Sequence, residues 1–248
     1  AVDTIVDAYI LPYLGINDEG PSHTDGVTND KGQYLSGVLV GEPAPDEHIE
    51  LIINGETIDP ARIHLVDYDD GWYWYYDPEE EEGSTPLFNE GSNTVSVRLV
   101  KEDGHGSATV ARTIVIDTDT PDIVAGPTTP VDAGQAISIA FDEAMYLSGN
   151  VEVVDEIEVI DEFGNTSWIA LDGSMFSPDR KTLTISAESH NLATGNSYTF
   201  DLPYGLTDLA GNQYEGEQIA FTTAGDFQDK APPRLVEAYI VNGSGSYN

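Results

Sequence analysis

Residues 114–122, IVIDTDTPD, decide the predicted fold, because they end one series of strand-like segments and precede a second. The first three residues, Ile114, Val115 and Ile116, are all β-branched and are typical of a buried strand. The six that follow, residues 117–122, are acidic, hydroxyl-bearing or proline and are typical of a turn. The stretch therefore predicts an acidic joint between two folded units.

Strand-like runs lie on both sides of this joint. Those before it are residues 4–11, 34–40, 49–53, 72–76, 94–100 and 109–116. Those after it are residues 136–141, 151–160, 168–171, 182–187, 197–202 and 218–223. Turn residues separate the runs about every 8–15 positions, which is typical of β-sandwiches. No long helical repeat is present, so we predict an all-β fold with few helices.

The joint and a second acidic segment at residues 225–233 define the predicted domains. We place the first domain at residues 1–119 and the second at residues 120–226. Residues 235–240 repeat the pattern of the beginning of the chain, which predicts that residues 227–248 are a linker and the first strand of a truncated third domain. The alternative is that this strand pairs with the second sandwich, as in a scaffold domain split by an insertion.

The charge of the chain is strongly negative. It has 248 residues, with 45 acidic against 9 basic side chains and a formal net charge of −36. Such a surface repels phosphate backbones and anionic lipids, so we expect no nucleic-acid partner and no insertion into membranes. Two explanations of the charge stay open, which are solubility in salty water and neutralisation by bound cations. The chain has no cysteine, which by itself does not decide the compartment.

Several motifs resemble known families. In the first half, the motifs TND at 28–30, IELIING at 49–55 and GSNTVSV at 91–97 resemble the bacterial Ig-like repeats of large type I-secreted (RTX-type) surface adhesins. In the second half, FDEAM at 141–145 and LTDLAGN at 206–212 resemble the bacterial Ig-like domain first described in surface-layer proteins. The resemblance implies two tandem immunoglobulin-like β-sandwiches joined end to end. It also implies a secreted stalk at the bacterial cell surface with calcium-stiffened joints.

Calcium is the predicted cofactor, because it is bound by carboxylate, amide and carbonyl oxygens. The loops at 142–143 and 206–212 should lie at the top of the second domain and face the joint. The ligands that we predict at this joint are Asp117, Asp119, Asp122, Asp142, Asp208 and Asn212, with Asp30 added from the first domain. Asp226 and Asp229 are predicted ligands at the second joint, where Asp132 could add another oxygen. The alternative is that these acids are solvated turn residues.

The aromatic run at residues 72–76, WYWYY, places rings on both faces of a predicted strand. One interpretation has Trp72, Trp74 and Tyr76 in the core, with Tyr73 and Tyr75 on the outer surface. The other makes the outer rings a platform for a sugar. The glutamates at 79–82 are either a solvated loop or a further calcium site.

No catalytic constellation is predicted. The five histidines lack zinc-protease spacing, and the nucleophile elbow and phosphate loop are missing. We therefore expect no enzyme activity, and predict a monomeric, calcium-rigidified extender that projects ligand-binding domains in cell adhesion or biofilm formation. Its expected partners are adjacent Ig-like domains of the same chain, and a glycan or peptide on a host or neighbouring cell. The alternatives are a glycan- or peptide-binding module of an adhesin, and an accessory domain of a secreted polysaccharide-degrading enzyme.

Overall fold

The computed structural model describes residues 9–10, 14–69, 71–78, 87–147 and 156–226. Within these ranges the chain is almost entirely β-structure, in two tandem immunoglobulin-like sandwiches, as predicted. The helical segments that lie wholly within these ranges are two 3-10 turns, Pro60–Arg62 and Gly173–Met175, and one short helix, α1 (Ala187–His190). No helix in the described ranges is long and apolar enough to cross a membrane. The predicted third-domain strand lies outside them, as do the glutamates at 79–82.

Two sheets form the first sandwich. Their strands are β1 (Tyr9–Ile10), β2 (Val27–Thr28), β3 (Leu35–Val40), β4 (Glu47–Ile53), β5 (Glu56–Thr57), β6 (His64–Tyr68), β7 (Gly71–Tyr76), β8 (Gly91–Lys101) and β9 (Val110–Ile116). One sheet has the order β1-β3-β7-β6, and the other has the order β2-β9-β8-β4-β5.

The second sandwich also has two main sheets. Its strands are β10 (Ile123–Ala125), β11 (Ile137–Phe141), β12 (Tyr146–Leu147), β13 (Glu156–Asp161), β14 (Thr166–Ala170), β15 (Thr182–Ile185), β16 (Ser197–Asp201), β17 (Leu206–Thr207) and β18 (Gln218–Thr222). The main sheets have the orders β10-β11-β15 and β14-β13-β16-β18, and β12 and β17 form a small separate ladder.

Alternation of apolar and polar residues builds both cores. Strand β8 shows it most clearly, because Val95, Val97 and Leu99 are buried and the residues between them are more exposed. Each sandwich has its own cluster of buried side chains, one containing Trp74 and the other containing Phe200. The two clusters share no buried residue, which agrees with two separately packed cores.

Close packing in the first core depends on a glycine. Gly37 of β3 lies opposite the fully buried Trp74 of β7. A Cβ on Gly37 would meet the indole nitrogen of Trp74 and would lie 2.8 Å from its Cε2 atom. The sheet can therefore hold the indole against its own backbone only if position 37 has no side chain.

Several elements differ from the predicted strands. The short strands β2, β5, β10, β12 and β17, each of two or three residues, were not predicted. Strand β6 was not predicted either, because its residues are half-exposed or exposed at a sheet edge and do not alternate clearly. The strand predicted at 182–187 ends at Ile185, and helix α1 begins two residues later. The predicted strand at 151–160 is described only from Glu156, where β13 begins.

Candidate metal centre at the joint

Three strand ends meet where the first sandwich passes into the second. Asp117 directly follows β9, the last strand of the first sandwich. Glu143 lies two residues after β11, and Asp208 directly follows β17, both in the second sandwich. The end of one domain and two loops of the next therefore bring acids to the same place.

The carboxylates of Asp117, Glu143 and Asp208 form one cluster. One oxygen from each residue lies within 4.8 Å of the others. Asp208 is fully buried, and the other two are half-buried. No ion pair among the described residues involves any of the three. The cluster is thus a concentration of negative charge without a basic partner, an arrangement that is costly in the absence of a cation.

Asp208 is held in place by its own loop. Its Oδ1 accepts hydrogen bonds from the backbone nitrogens of Gly211 (2.7 Å) and Asn212 (2.8 Å). Its Oδ2 accepts one from Nδ2 of Asn212 at 2.7 Å. An ionised carboxylate oxygen has about two lone pairs, so Oδ2 keeps acceptor capacity for a further ligand.

Asn212 connects this loop to the joint. Its Nδ2 also donates to the backbone oxygen of Asp117 at 2.8 Å. Asp117 in turn donates its backbone N–H to the carbonyl of Thr28 in the first sandwich at 3.0 Å. The carboxylates of Asp117 and Asp208 are therefore positioned by hydrogen bonds that run across both domains.

The electrostatics of the cluster appear in its pKa values. The pKa of Glu143 is raised to about 7, first by desolvation and then by the charges of Asp208 and Asp117. The pKa of Asp117 is also raised, chiefly by burial, although a hydrogen bond from the backbone of Asp119 opposes the shift. Both shifts mean that the folded joint holds its carboxylates less readily in the ionised form.

A second group of residues supports the joint from the first sandwich. Glu90 accepts hydrogen bonds from the backbone nitrogen and the hydroxyl of Thr118, each at 2.9 Å. Lys31 forms an ion pair with Glu90 at 2.9 Å, and the pKa of Glu90 is lowered, mainly by its hydrogen bond from Lys31. This clamp orders the residue next to Asp117 without adding an oxygen to the cluster.

The structure brings some of the predicted ligands into the cluster and leaves others outside it. Asp117 and Asp208 belong to the cluster, and Asn212 bonds to both of them. Glu143 was not among the predicted ligands, although it belongs to a loop that was expected to face the joint. Sequence spacing did not distinguish it from Asp142.

The other predicted ligands make local contacts. Asp142 accepts a hydrogen bond from the backbone nitrogen of Asp122 at 2.9 Å, and both residues are exposed. Asp119 is exposed and donates its backbone N–H to Asp117, while Asp30 bonds to the side chain of Asn17 and the backbone of Gly32. At the predicted second joint, Asp226 is exposed and its backbone carbonyl accepts a hydrogen bond from the hydroxyl of Thr194. The carboxylate of Asp132 accepts one from the backbone nitrogen of Gly134, and Asp229 lies outside the described residues.

The donor set of the cluster suits calcium. Calcium is bound by oxygen ligands at about 2.3–2.6 Å, so ligand oxygens on opposite sides of the ion are about 5 Å apart. The three oxygens of the cluster lie within 4.8 Å of one another, close enough for one ion to contact all of them. Asp117, Glu143 and Asp208 would provide the charged ligands. Backbone carbonyls and water would complete the shell, as they commonly do for this ion.

The aromatic run follows the first of its two interpretations. Trp74 and Tyr76 are fully buried and Trp72 packs against the core. Tyr73 and Tyr75 are half-buried on the outer face of the sheet.

The rings on that outer face cover one another. Tyr75 is stacked between Tyr34, at 5.6 Å, and His64, at 4.6 Å, measured between ring centroids. Tyr73 makes an edge contact with Tyr68, which is 58% exposed. Because stacking on a sugar needs an open ring face, this packing disfavours Tyr75 as a sugar platform.

Several solved structures are similar to this chain, all at low sequence identity. No curated protein matches the sequence. Solved structures that are similar include a 1.5-MDa bacterial ice-binding adhesin, at 13% identity and a TM-score of 0.37, with 86% of this chain and 64% of that chain covered. Another is the BSP domain of a biofilm-associated protein, at 18% identity and a TM-score of 0.23, with 83% and 29% covered. A third is the fibronectin(III)-like modules of Clostridium thermocellum CbhA, at 9% identity and a TM-score of 0.29, with 86% and 94% covered.

This chain therefore spans less than two thirds of the length of the first two of those structures. Residues 106–223, slightly less than half of the chain, match the model of a bacterial Ig-like domain. The matched segment begins before β9 and ends after β18. It therefore covers the second sandwich, the joint and all three acids of the cluster.

Proposed function

We propose that this chain is a calcium-rigidified extender module of a secreted bacterial surface adhesin. Its role is to project ligand-binding domains away from the cell in adhesion or biofilm formation, without catalysis of its own. The observation that carries the proposal is the meeting of Asp117, Glu143 and Asp208 at the joint between two sandwiches. The match of residues 106–223 to a bacterial Ig-like domain supports the bacterial setting.

The mechanism is electrostatic. Without a cation, the three carboxylates repel one another, and protonation of Glu143 relieves part of this repulsion near neutral pH. A calcium ion would replace that proton and attract all three groups. Because Asp117 follows the last strand of the first sandwich and the other two acids belong to the second, the ion would bind the two domains together.

Calcium binding should be measured first by isothermal titration calorimetry of the whole chain at about pH 8, where Glu143 is mostly ionised. We expect a site that is weakened strongly by Glu143→Gln and by Asp117→Asn. The matched control is Glu162→Gln, which removes one charge from an exposed position of the second sandwich. Absence of calcium binding, or equal loss of affinity in the control, would contradict the proposal.

Small-angle scattering then tests the mechanical part. Calcium should raise the melting temperature of the wild-type chain and should preserve its native scattering profile to higher temperature than in EDTA, and both effects should be smaller in Glu143→Gln. If calcium binds but changes neither the scattering nor the melting temperature, the ion does not stiffen the joint and the extender mechanism is wrong.

A further inference from the structure

The two sandwiches also touch through bare backbone beside the acidic cluster. Gly20 lies in the long loop before β2, and Gly211 lies in the loop that follows β17. A Cβ on Gly20 would lie 2.5 Å from the carbonyl oxygen of Leu209 and 3.1 Å from the nitrogen of Gly211. A Cβ on Gly211 would lie 2.9 Å from the nitrogen and 3.0 Å from the Cα of Gly20. The contact is reciprocal, and no side chain fits between these backbones.

Hydrogen bonds fix the contact on two sides. The backbone nitrogen of Asn29, in the first sandwich, donates to the carbonyl of Ala210 at 3.2 Å. On the other side, Nδ2 of Asn212 donates to the carbonyl of Asp117 at 2.8 Å. Ala210 and Asn212 are both buried, so these bonds are largely shielded from water.

None of these contacts involves a metal ligand atom. They use backbone groups and the amide of Asn212, while the carboxylate of Asp208 only shapes the loop that presents them. Small polar contacts between domains usually permit relative motion. Here a rotation of one sandwich against the other would either break two hydrogen bonds or press Gly20 into the backbone at 209–211.

We infer that Gly20 and Gly211 form a backbone dock that holds the two sandwiches in one relative orientation before any cation binds. The dock is a second device at the joint, and it does not depend on the proposed calcium site. Calcium would then strengthen an orientation that already exists.

Glycine-to-alanine variants test the dock, because the chain offers matched controls. Gly20 (φ +96°) and Gly211 (φ +95°) have left-handed backbones, so alanine there adds both backbone strain and a clash. Gly104 (φ +89°) and Gly164 (φ +77°) have similar backbones, but a Cβ on either would meet nothing within 4 Å. Gly104→Ala and Gly164→Ala therefore add the strain without the clash, one in each sandwich.

The measurement is the distance distribution between two spin labels in a buffer with EDTA. The chain has no cysteine, so Ser92→Cys and Ser138→Cys, both at exposed positions, place one label in each sandwich. We expect a narrow distribution for the parent and for both control variants, and loss of the parent peak in Gly20→Ala and in Gly211→Ala. The near-ultraviolet circular dichroism spectrum of each variant should be recorded to check that the variant is folded. Gly20→Ala leaves the sequence of the second sandwich unchanged, so it tests the dock even if Gly211→Ala disturbs the Asp208 loop.

Two results would overturn the dock. One is a parent distribution that is broad in EDTA and narrows only with calcium, because the ion alone would then set the orientation and the calcium proposal would stand by itself. The other is a distribution in Gly20→Ala and Gly211→Ala that equals that of the parent. If calcium does not bind in the calorimeter, the calcium proposal fails but the test of the dock still stands. A narrow distance distribution of the parent in EDTA, lost in Gly20→Ala and Gly211→Ala, would then support the dock directly.

Discussion

Replacement of Glu143 by glutamine should make the metal-free protein more stable at alkaline pH. The pKa of Glu143 rises from 4.5 in the unfolded chain to about 7 in the folded one. The folded state therefore binds the proton more tightly than the unfolded state does. The stability linked to this proton is complete below pH 4.5 and is lost as the pH rises through about 7.

The size of the effect follows from the shift. Each pKa unit corresponds to about 1.4 kcal/mol, so the full shift would correspond to about 3 kcal/mol. Because the carboxyl is partly exposed, solvent screening reduces this to about 1–2 kcal/mol. Glutamine has no charge at any pH. The free energy of unfolding of metal-free Glu143→Gln should therefore exceed that of the wild type by about 1–2 kcal/mol at about pH 8, and the two should differ little at about pH 5.

The assay is urea denaturation followed by circular dichroism, in EDTA and then in calcium. In EDTA the free energy of unfolding of the wild type should fall between about pH 5 and pH 8, and that of Glu143→Gln should fall less. The variant should keep some pH dependence, because the pKa of Asp117 is raised in the same direction. In calcium the order should reverse at about pH 8, because only the wild type retains all three carboxylates and ligand binding stabilises the folded state.

The control for this experiment is Glu162→Gln, which removes the same charge from an exposed site. If Glu143→Gln and Glu162→Gln have the same stability in EDTA at about pH 8, the ionisation of Glu143 is not opposed by its surroundings and the reasoning is refuted.

Three further substitutions test the first sandwich by the same denaturation assay. Gly37→Ala should destabilise it by about 1–3 kcal/mol, because the new methyl group would overlap the buried ring of Trp74, whereas Gly173→Ala, at an open position, should have little effect; equal effects would contradict the close packing. Asn93→Ala should cost about 2–3 kcal/mol, because the buried amide makes four hydrogen bonds to residues 54, 89 and 91; a neutral result would show that water replaces them. Tyr75→Ala should cost about 1–3 kcal/mol, since both of its ring faces are stacked; no loss of stability, together with a lost glycan-array signal, would instead favour a sugar site.

Strand prediction succeeded where one face of a strand is buried. In β8, the alternation of Val95, Val97 and Leu99 with polar residues is strong, and the predicted strand differs from the observed one by only a few residues at its ends. In β6 the same rule failed, because an edge strand packs on one neighbour and its residues are all partly exposed. The hydrophobic pattern reports burial, so it is weak where burial is incomplete.

The candidate site was predictable by place but not residue by residue. Chain order implied that Asp117 and the loop containing Asp208 lie at the same joint, and the structure brings these two carboxylates together. Chain order did not reveal that the carboxylate of Glu143 belongs to the cluster while that of the adjacent Asp142 accepts a hydrogen bond from the backbone of Asp122. Two neighbouring acids in one loop look alike in the sequence. The directions of their side chains depend on how the backbone turns after β11.

The joint combines two devices that respond differently to the medium. The hydrogen bonds from Asn29 and Asn212 to backbone carbonyls and the contact of Gly20 with Gly211 use uncharged groups, and their one link to a charge is the carboxylate of Asp208, which also accepts from Nδ2 of Asn212. Salt and pH should therefore affect these contacts only through Asp208. The three carboxylates are the opposite, because their repulsion depends on protonation and on cations. It follows that the surrounding ions should change how strongly the two sandwiches are held together without changing their relative orientation. A tandem of this kind could therefore keep its direction through changes in ion content, while the resistance of the joint to bending rises as calcium binds.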